Sequence, residues 1–197
     1  MKTTHFFGLL LTAAILSVGS LTAQVLKVNP KLSSITINGT SSLHEWKSKS
    51  NQINGSLVLT GNDQVKSLSV VVPVKSIKSP EGGLMDSKTY DAFNADKNPN
   101  ISFTMTEAND FKVNGQAVSL VVTGNMTMNG ATKKIVLKSN GKVVKSGVYK
   151  FTGAVNGLNM TEYKMVPPTA LMGTIKVGPV VNLTFDVTVE DQASAAN

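Results

Sequence analysis

The amino-acid sequence predicts an all-β domain of about eight antiparallel strands with one short helix. Three observations carry this reading. The dipeptide Asn-Gly occurs six times, at Asn38, Asn54, Asn114, Asn129, Asn140 and Asn156. It supplies the positive φ angles that two-residue hairpin turns require. Between these marks the apolar residues alternate with polar ones, the period of a strand with one wet and one buried face. A single segment, residues 82–94, abandons that period.

Taken in order, the first expected strand spans residues 34–38, and the second is a long, bent stretch over 43–59. Leu68, Val70, Val72 and Val74 then share one face, with Ser69 and Lys75 on the other. Residues 82–94 place Leu84, Met85, Tyr90 and Phe93 at spacings closer to a short helix, and Pro99 stops it. Ile101, Phe103 and Met105 alternate with Ser102, Thr104 and Thr106. Val118, Leu120, Val122, Met126 and Met128 keep one parity across Gly124, which suits a bend in one long strand. Strands over 133–144 and 148–158 follow. Val181, Leu183, Phe185, Val187 and Val189 alternate through the last. Barrel closure hides every strand edge and a sandwich hides only some; the pattern by itself allows both. A barrel of eight strands is just wide enough to fill with side chains or to hold one small ligand.

The amino terminus reads as an address. Met1-Lys2 is followed by a mostly apolar run from Phe6 to Val18, then by Leu21-Thr22-Ala23 before Gln24. Charge, apolar core and small-residue exit describe a secretory signal peptide, expected over residues 1–23. The run is shorter than the roughly 18 residues a membrane span needs. The barrel domain is expected over 24–190, with a loose tail at 191–197. The chain has no cysteine. That excludes a disulfide framework, a thiol nucleophile and a zinc-thiolate site, and export without disulfides fits a bacterial periplasm or exterior.

The formal net charge is +7, and loss of Lys2 with the signal lowers it by one. All 19 basic side chains are lysine. Base-edge and phosphate recognition lean on the arginine fork. The charge therefore implies solubility and weak attraction to anionic membrane surfaces, not nucleic-acid binding.

Catalytic equipment is sparse. Beyond the address there is one histidine, His44, beside Glu45 and Trp46. Neighbouring strand residues point to opposite faces, so His44 and Glu45 form no simple dyad. No G-x-S-x-G elbow or phosphate loop exists, and several-histidine metal sites are excluded by count. Asp86, Asp91 and Asp96 are spaced by five and scatter around a helix axis, with Asp86 a candidate helix cap. Triplets such as Asn38-Gly39-Thr40 and Asn182-Leu183-Thr184 arise by chance in a chain rich in Asn, Ser and Thr. Seven methionines follow the start residue: Met85, Met105, Met126, Met128, Met160, Met165 and Met172. They can pack an ordinary core or form an adaptable lining for a long apolar ligand.

Several segments together resemble the YceI-like family of exported bacterial proteins. They are Ser41-Ser42-Leu43-His44-Glu45-Trp46, Val72-Pro73-Val74-Lys75-Ser76-Ile77-Lys78-Ser79, and Met85-Asp86 followed by Lys97-Asn98-Pro99-Asn100-Ile101-Ser102-Phe103. The hairpin Gly124-Asn125-Met126-Thr127-Met128-Asn129-Gly130-Ala131-Thr132-Lys133 and the closing strands around Leu171-Met172-Gly173-Thr174 and Val181-Asn182-Leu183-Thr184-Phe185 complete the series. The resemblance implies a lipocalin-like antiparallel barrel with a short helix near its mouth. It also implies an apolar tunnel, which in some members holds a polyisoprenoid or an isoprenoid quinone. Two segments depart from the family pattern. Tyr163-Lys164-Met165-Val166-Pro167-Pro168 replaces an aromatic-rich F-G motif, and Tyr90-Asp91-Ala92-Phe93-Asn94 lacks the common double phenylalanine.

The expectation is a non-enzymatic carrier of a long apolar molecule, with no cofactor beyond such a ligand. The expected lining is Val72, Ile101, Phe103, Met105, Leu120, Met126, Met128, Leu183 and Phe185. His44, Trp46, Lys97 and Tyr163 are expected at the mouth, around a head group. The alternatives are a lipid-modifying enzyme using His44 and a solid barrel serving as a stress-response or interaction module.

Overall fold

The computed structural model describes residues 23–61 and 64–191. The expected signal segment up to Thr22 and the tail beyond Asp191 lie outside the described residues. In chain order the elements are β1 (Gln24–Val28), β2 (Ser34–Ser41), β3 (Glu45–Ser50), β4 (Asn54–Thr60), β5 (Gln64–Pro73), α1 (Gly83–Phe93), β6 (Asn100–Asn114), β7 (Ala117–Met128), β8 (Ala131–Lys145), β9 (Val148–Asn159), β10 (Thr169–Ala170) and β11 (Ile175–Asp191).

Two pairs of these strands act as one strand each. β1 and β2 are separated by a 3-10 turn at Pro30–Leu32, and both pair with β11. β4 and β3 pair with them from the other side, separated by residues 51–53, where Ile53 is buried. The ring then runs through β5, β6, β7, β8 and β9 to β11, every pairing antiparallel. It is a closed eight-stranded barrel with one helix, contained within residues 24–191. Closure leaves the ring without a free edge. The pattern missed β1: five residues are too few for alternation to stand out beside the apolar leader. Yet β1 closes the ring, joining β11 to β4.

Most Asn-Gly pairs are not hairpin turns, which corrects the expectation. Asn129-Gly130 forms the β7–β8 turn, with both φ angles positive, at 47° and 69°. Asn114-Gly115 leads the β6–β7 turn. The other four lie inside strands. At Gly39, Gly55 and Gly141 glycine is required by close approach rather than by a turn, and at Gly157 by a positive φ of 72°. At Gly39 an added Cβ would overlap the Trp46 ring, which lies across the backbone. Asn156-Gly157 sits where the β9–β11 register shifts, and Gly157 N–H donates to Asn182 Oδ1 at 2.8 Å.

The barrel has two ends. The β6–β7 and β8–β9 turns mark one. The other carries α1, the β2–β3 hairpin, the β7–β8 turn and the loop from Met160 to Thr174. Near the first end Leu26, Leu59, Val65 and Val118 are buried in the core. Toward the helix end the interior opens. Tyr163 is only 2 % exposed, and its hydroxyl has no hydrogen-bond partner. Burial pushes the phenol above its ordinary pKa, with Glu162 adding to the effect. An unpaired buried hydroxyl is costly. Tyr163→Phe is therefore expected to raise stability by about 1 kcal/mol, read by thermal unfolding; a lower melting temperature would show that the hydroxyl is satisfied.

Candidate functional site

The open part of the interior consists of two adjoining chambers. The inner one has a volume of about 110 Å³. Its wall takes in Val70 and Val72 of β5, Ile101 and Phe103 of β6, Leu120 and Met126 of β7, and Leu183 and Phe185 of β11. No charged side chain lines it, and the polar residues are three serines, Ser50, Ser102 and Ser139. The Ser139 hydroxyl donates to Leu120 O at 3.3 Å, and Ser50 shares a 2.7 Å hydrogen bond with Ser76. Ile35, Val70, Ile101, Val155 and Leu183 are only half-buried although they face inward, because they border the cavity. A void of this size forfeits roughly 2–3 kcal/mol of packing at about 24 cal/mol per Å³, which an apolar guest can restore.

The second chamber, about 60 Å³, lies under α1. Ile37, Ile101 and Leu183 border both chambers and form the neck between them. Four methionines, Met85, Met128, Met160 and Met165, line it, so this part of the wall can adapt its shape. The helix contributes Met85, Lys88, Thr89, Ala92 and Phe93. These recur at helical spacing on one face. From here the path opens outward through a third space of about 90 Å³, bordered by Leu43, His44, Trp46, Glu81, Met85, Lys88, Pro168 and Ala170.

Asp86, Tyr90 and Phe93, along the adjoining side of α1, fix the helix to the barrel. Phe93 is buried in the core. The Tyr90 hydroxyl lies 2.9 Å from Lys75 O and 3.1 Å from Ile77 O, and it accepts from Lys78 Nζ. Asp86 accepts Ser79 N–H at 2.7 Å and pairs with Lys78 at 3.1 Å. It thus ties the first helical turn to the preceding loop. The Ser79 hydrogen bond first, and Lys78 second, hold its carboxyl below the ordinary value. A depressed carboxyl stabilises the fold above its unfolded pKa, and that contribution is lost as pH falls through the folded value. Asp86→Asn is expected to lose about 1–2 kcal/mol at neutral pH. The difference from the parent should narrow below about pH 4; a gap unchanged in acid would exclude charge as its cause.

Of the expected lining, Val72, Ile101, Phe103, Leu120, Met126, Leu183 and Phe185 border the inner chamber, and Met128 the second. Met105 does not: it packs against the core where the β6–β7 register shifts, outside either chamber. At the mouth the structure brings together His44 and Trp46. Trp46 donates its indole N–H to Thr40 O at 3.0 Å. His44 lies in the hairpin turn rather than in a strand, with Nδ1 2.6 Å from Glu45 O and Nε2 4.0 Å from Glu81. Lys97 is away from the mouth, exposed in the turn after α1 and bordering none of these spaces. Tyr163 is away from it too, in the core.

Sequence reasoning passed over Leu137, Phe151 and Val155, all inner-chamber residues. Their strands were anticipated, and alternation within them was the available signal. It also passed over Lys88, which borders the second chamber and the mouth. Nothing in a short polar helix marks one lysine from another.

A closed antiparallel barrel, hollow toward a helix-covered end and with an inner chamber lined without charge, defines a lipocalin-like fold. Residues 26–189 match the YceI-like domain, and the chain belongs to that family. No curated protein matches the chain. Among solved structures it is similar to Burkholderia cenocepacia BcnA, with TM-score 0.64 and 13% identity over 82% of this chain and 98% of that one. A polyisoprenoid binding domain from Saccharophagus degradans, implicated in plant cell wall breakdown, gives TM-score 0.64 and 10% identity over 87% and 99%. A Campylobacter jejuni YceI protein gives 0.54 and 18% over 98% and 99%. At these identities the likeness is one of fold.

Proposed function

We propose that the protein binds one long apolar molecule in this tunnel and carries it without chemical change, in the periplasm or outside the cell. The ligand class is a polyisoprenoid, an isoprenoid quinone or another lipid tail. The observation that carries the reading is the charge-free wall of the inner chamber, continuous through the Ile37–Ile101–Leu183 neck with the methionine-lined chamber and the mouth. Burying each CH₂-sized group contributes about 0.8 kcal/mol, so a chain of a few isoprenoid units needs no strong polar anchor. The uncharged wall leaves polar head groups to the mouth, beside His44, Trp46 and Lys88. The family and the polyisoprenoid binding domain among the similar structures support the same ligand class. The amino-terminal pattern supports export.

Organic extraction of protein purified from its host, followed by mass spectrometry, tests this. The expected result is one apolar lipid per chain; no lipid, together with no uptake of an isoprenoid quinone in vitro, would reject the carrier. The enzyme reading has less support. Among the described residues the His44 ring meets the Glu45 carbonyl and, at 4.0 Å, the Glu81 carboxylate, and no serine or threonine hydroxyl is hydrogen-bonded to it. His44→Ala is expected to leave an extracted lipid chemically unchanged.

A further inference from the structure

Among the described residues, apolar exposure is highest around the mouth. Leu43, Leu84, Val166, Leu171 and Met172 are the five most exposed large apolar side chains among the described residues, at 66–109 %. They come from four separate segments: the β2–β3 hairpin, the first turn of α1, the loop after Tyr163, and the turn after β10. All four segments frame the helix end of the barrel. Leu43 borders the mouth together with Met85 and Ala170. Val166 borders the adjoining groove with Lys88 and Pro168. The hairpin is bonded to the start of β11, just after the last turn, through Ser42 N–H to Lys176 O at 2.9 Å.

The backbone presents two of these residues at a conformational cost. Leu171 and Met172 have φ of 48° and 56°, followed by Gly173 at 88°. The left-handed region is unfavourable for bulky residues. Here it points toward solvent two side chains that would gain from burial. Charge adds to the pattern. Lys88, Lys97, Lys164 and Lys176 surround the same end, and none lies within ion-pair distance of a carboxylate among the described residues. The Asp86 and Asp96 carboxylates of this end are already paired with Lys78 and Lys75. Glu45, Glu81, Asp91 and Glu162 also lie here, and Lys133 beside the β7–β8 turn keeps these lysines one ahead of the acids.

We infer that this rim is a membrane-docking surface, and that its partner is a bilayer rich in anionic phospholipid. The apolar rim would sit at the head-group boundary, as in other interfacial anchors. The lysines would meet the negative surface potential. The mouth then opens onto the lipid phase, and an apolar ligand can enter without crossing water. This reading extends the carrier proposal but is measured separately from it.

Vesicle cosedimentation tests it, using the chain from Gln24 onward, which contains the whole ring, and vesicles of phosphatidylcholine with or without phosphatidylglycerol. The parent is expected to sediment with the phosphatidylglycerol vesicles. Leu171→Asp with Met172→Asp should lower partitioning at least tenfold. Val166→Asp, in an independent segment, should lower it severalfold. Lys164→Glu with Lys176→Glu should remove the preference for anionic vesicles, each lysine being worth roughly fivefold near such a surface. These side chains are exposed, so circular dichroism should show unchanged melting. A parent that stays in solution, or rim variants that partition as the parent does, would overturn the inference. So would rim substitutions that only dissociate a dimer in light scattering, which would assign the face to a second copy of the chain. Extracted lipid content reports on the carrier reading independently of either result.

Discussion

Replacing Ile101 with tryptophan is expected to lower uptake of a long isoprenoid at least tenfold while leaving a folded barrel. Ile101 borders both chambers, and with Ile37 and Leu183 it forms the neck. An indole there fills the passage, because the inner chamber has only about 110 Å³ and its companion about 60 Å³. Overpacking costs about 1–3 kcal/mol, and the cavity beside Ile101 offers room that a solid core lacks. The stability loss should therefore sit at the low end of that range. Leu183→Trp should act alike from the opposite wall. Fluorescence titration with an isoprenoid quinone measures the effect. Equal uptake by the parent and a folded Ile101→Trp variant would mean that the two chambers are not one binding site.

Gly124→Ala is expected to be the most damaging small substitution within the chamber-forming β6–β7 pair. An added Cβ would lie 2.5 Å from Phe103 Cζ and 2.6 Å from the Thr104 carbonyl oxygen. The ring could move only into the inner chamber, and the carbonyl belongs to the β6 ladder. A loss of about 2–3 kcal/mol follows from such overlap, or roughly 5–10 °C in melting temperature. Ligand uptake should fall with it, since Phe103 is part of the chamber wall. A variant that melts within a degree or so of the parent would show that the β6–β7 pair relaxes freely.

The inward face of this barrel was legible because alternation is a local property. Val72, Phe103, Leu120, Met126 and Phe185 could be placed from parity alone, and the helix was visible as the one segment that breaks it. Met105 shows the limit. It keeps the parity of Phe103, pairing with Gly124 just before a register shift, yet it borders neither chamber, and where a cavity ends along a strand is not a local property. The glycines show another. Asn-Gly reads as a turn, yet Gly39 and Gly141 lie within strands because a ring or a carbonyl passes too close for a Cβ. That proximity is a long-range fact. The mouth was least legible: Lys97 and Tyr163 were drawn from motif position, while the observed rim joins segments as far apart as Leu43 and Met172.

The central claim is that the barrel is hollow in order to hold an apolar chain. A crystal structure of the protein purified with its extracted lipid, or soaked with an isoprenoid quinone, tests this most directly. Continuous elongated density is expected from the chamber beside Phe103, through the Ile101–Leu183 neck, to Trp46 at the mouth. Side chains closed over the neck, with the lipid outside the barrel or not retained, would contradict the account.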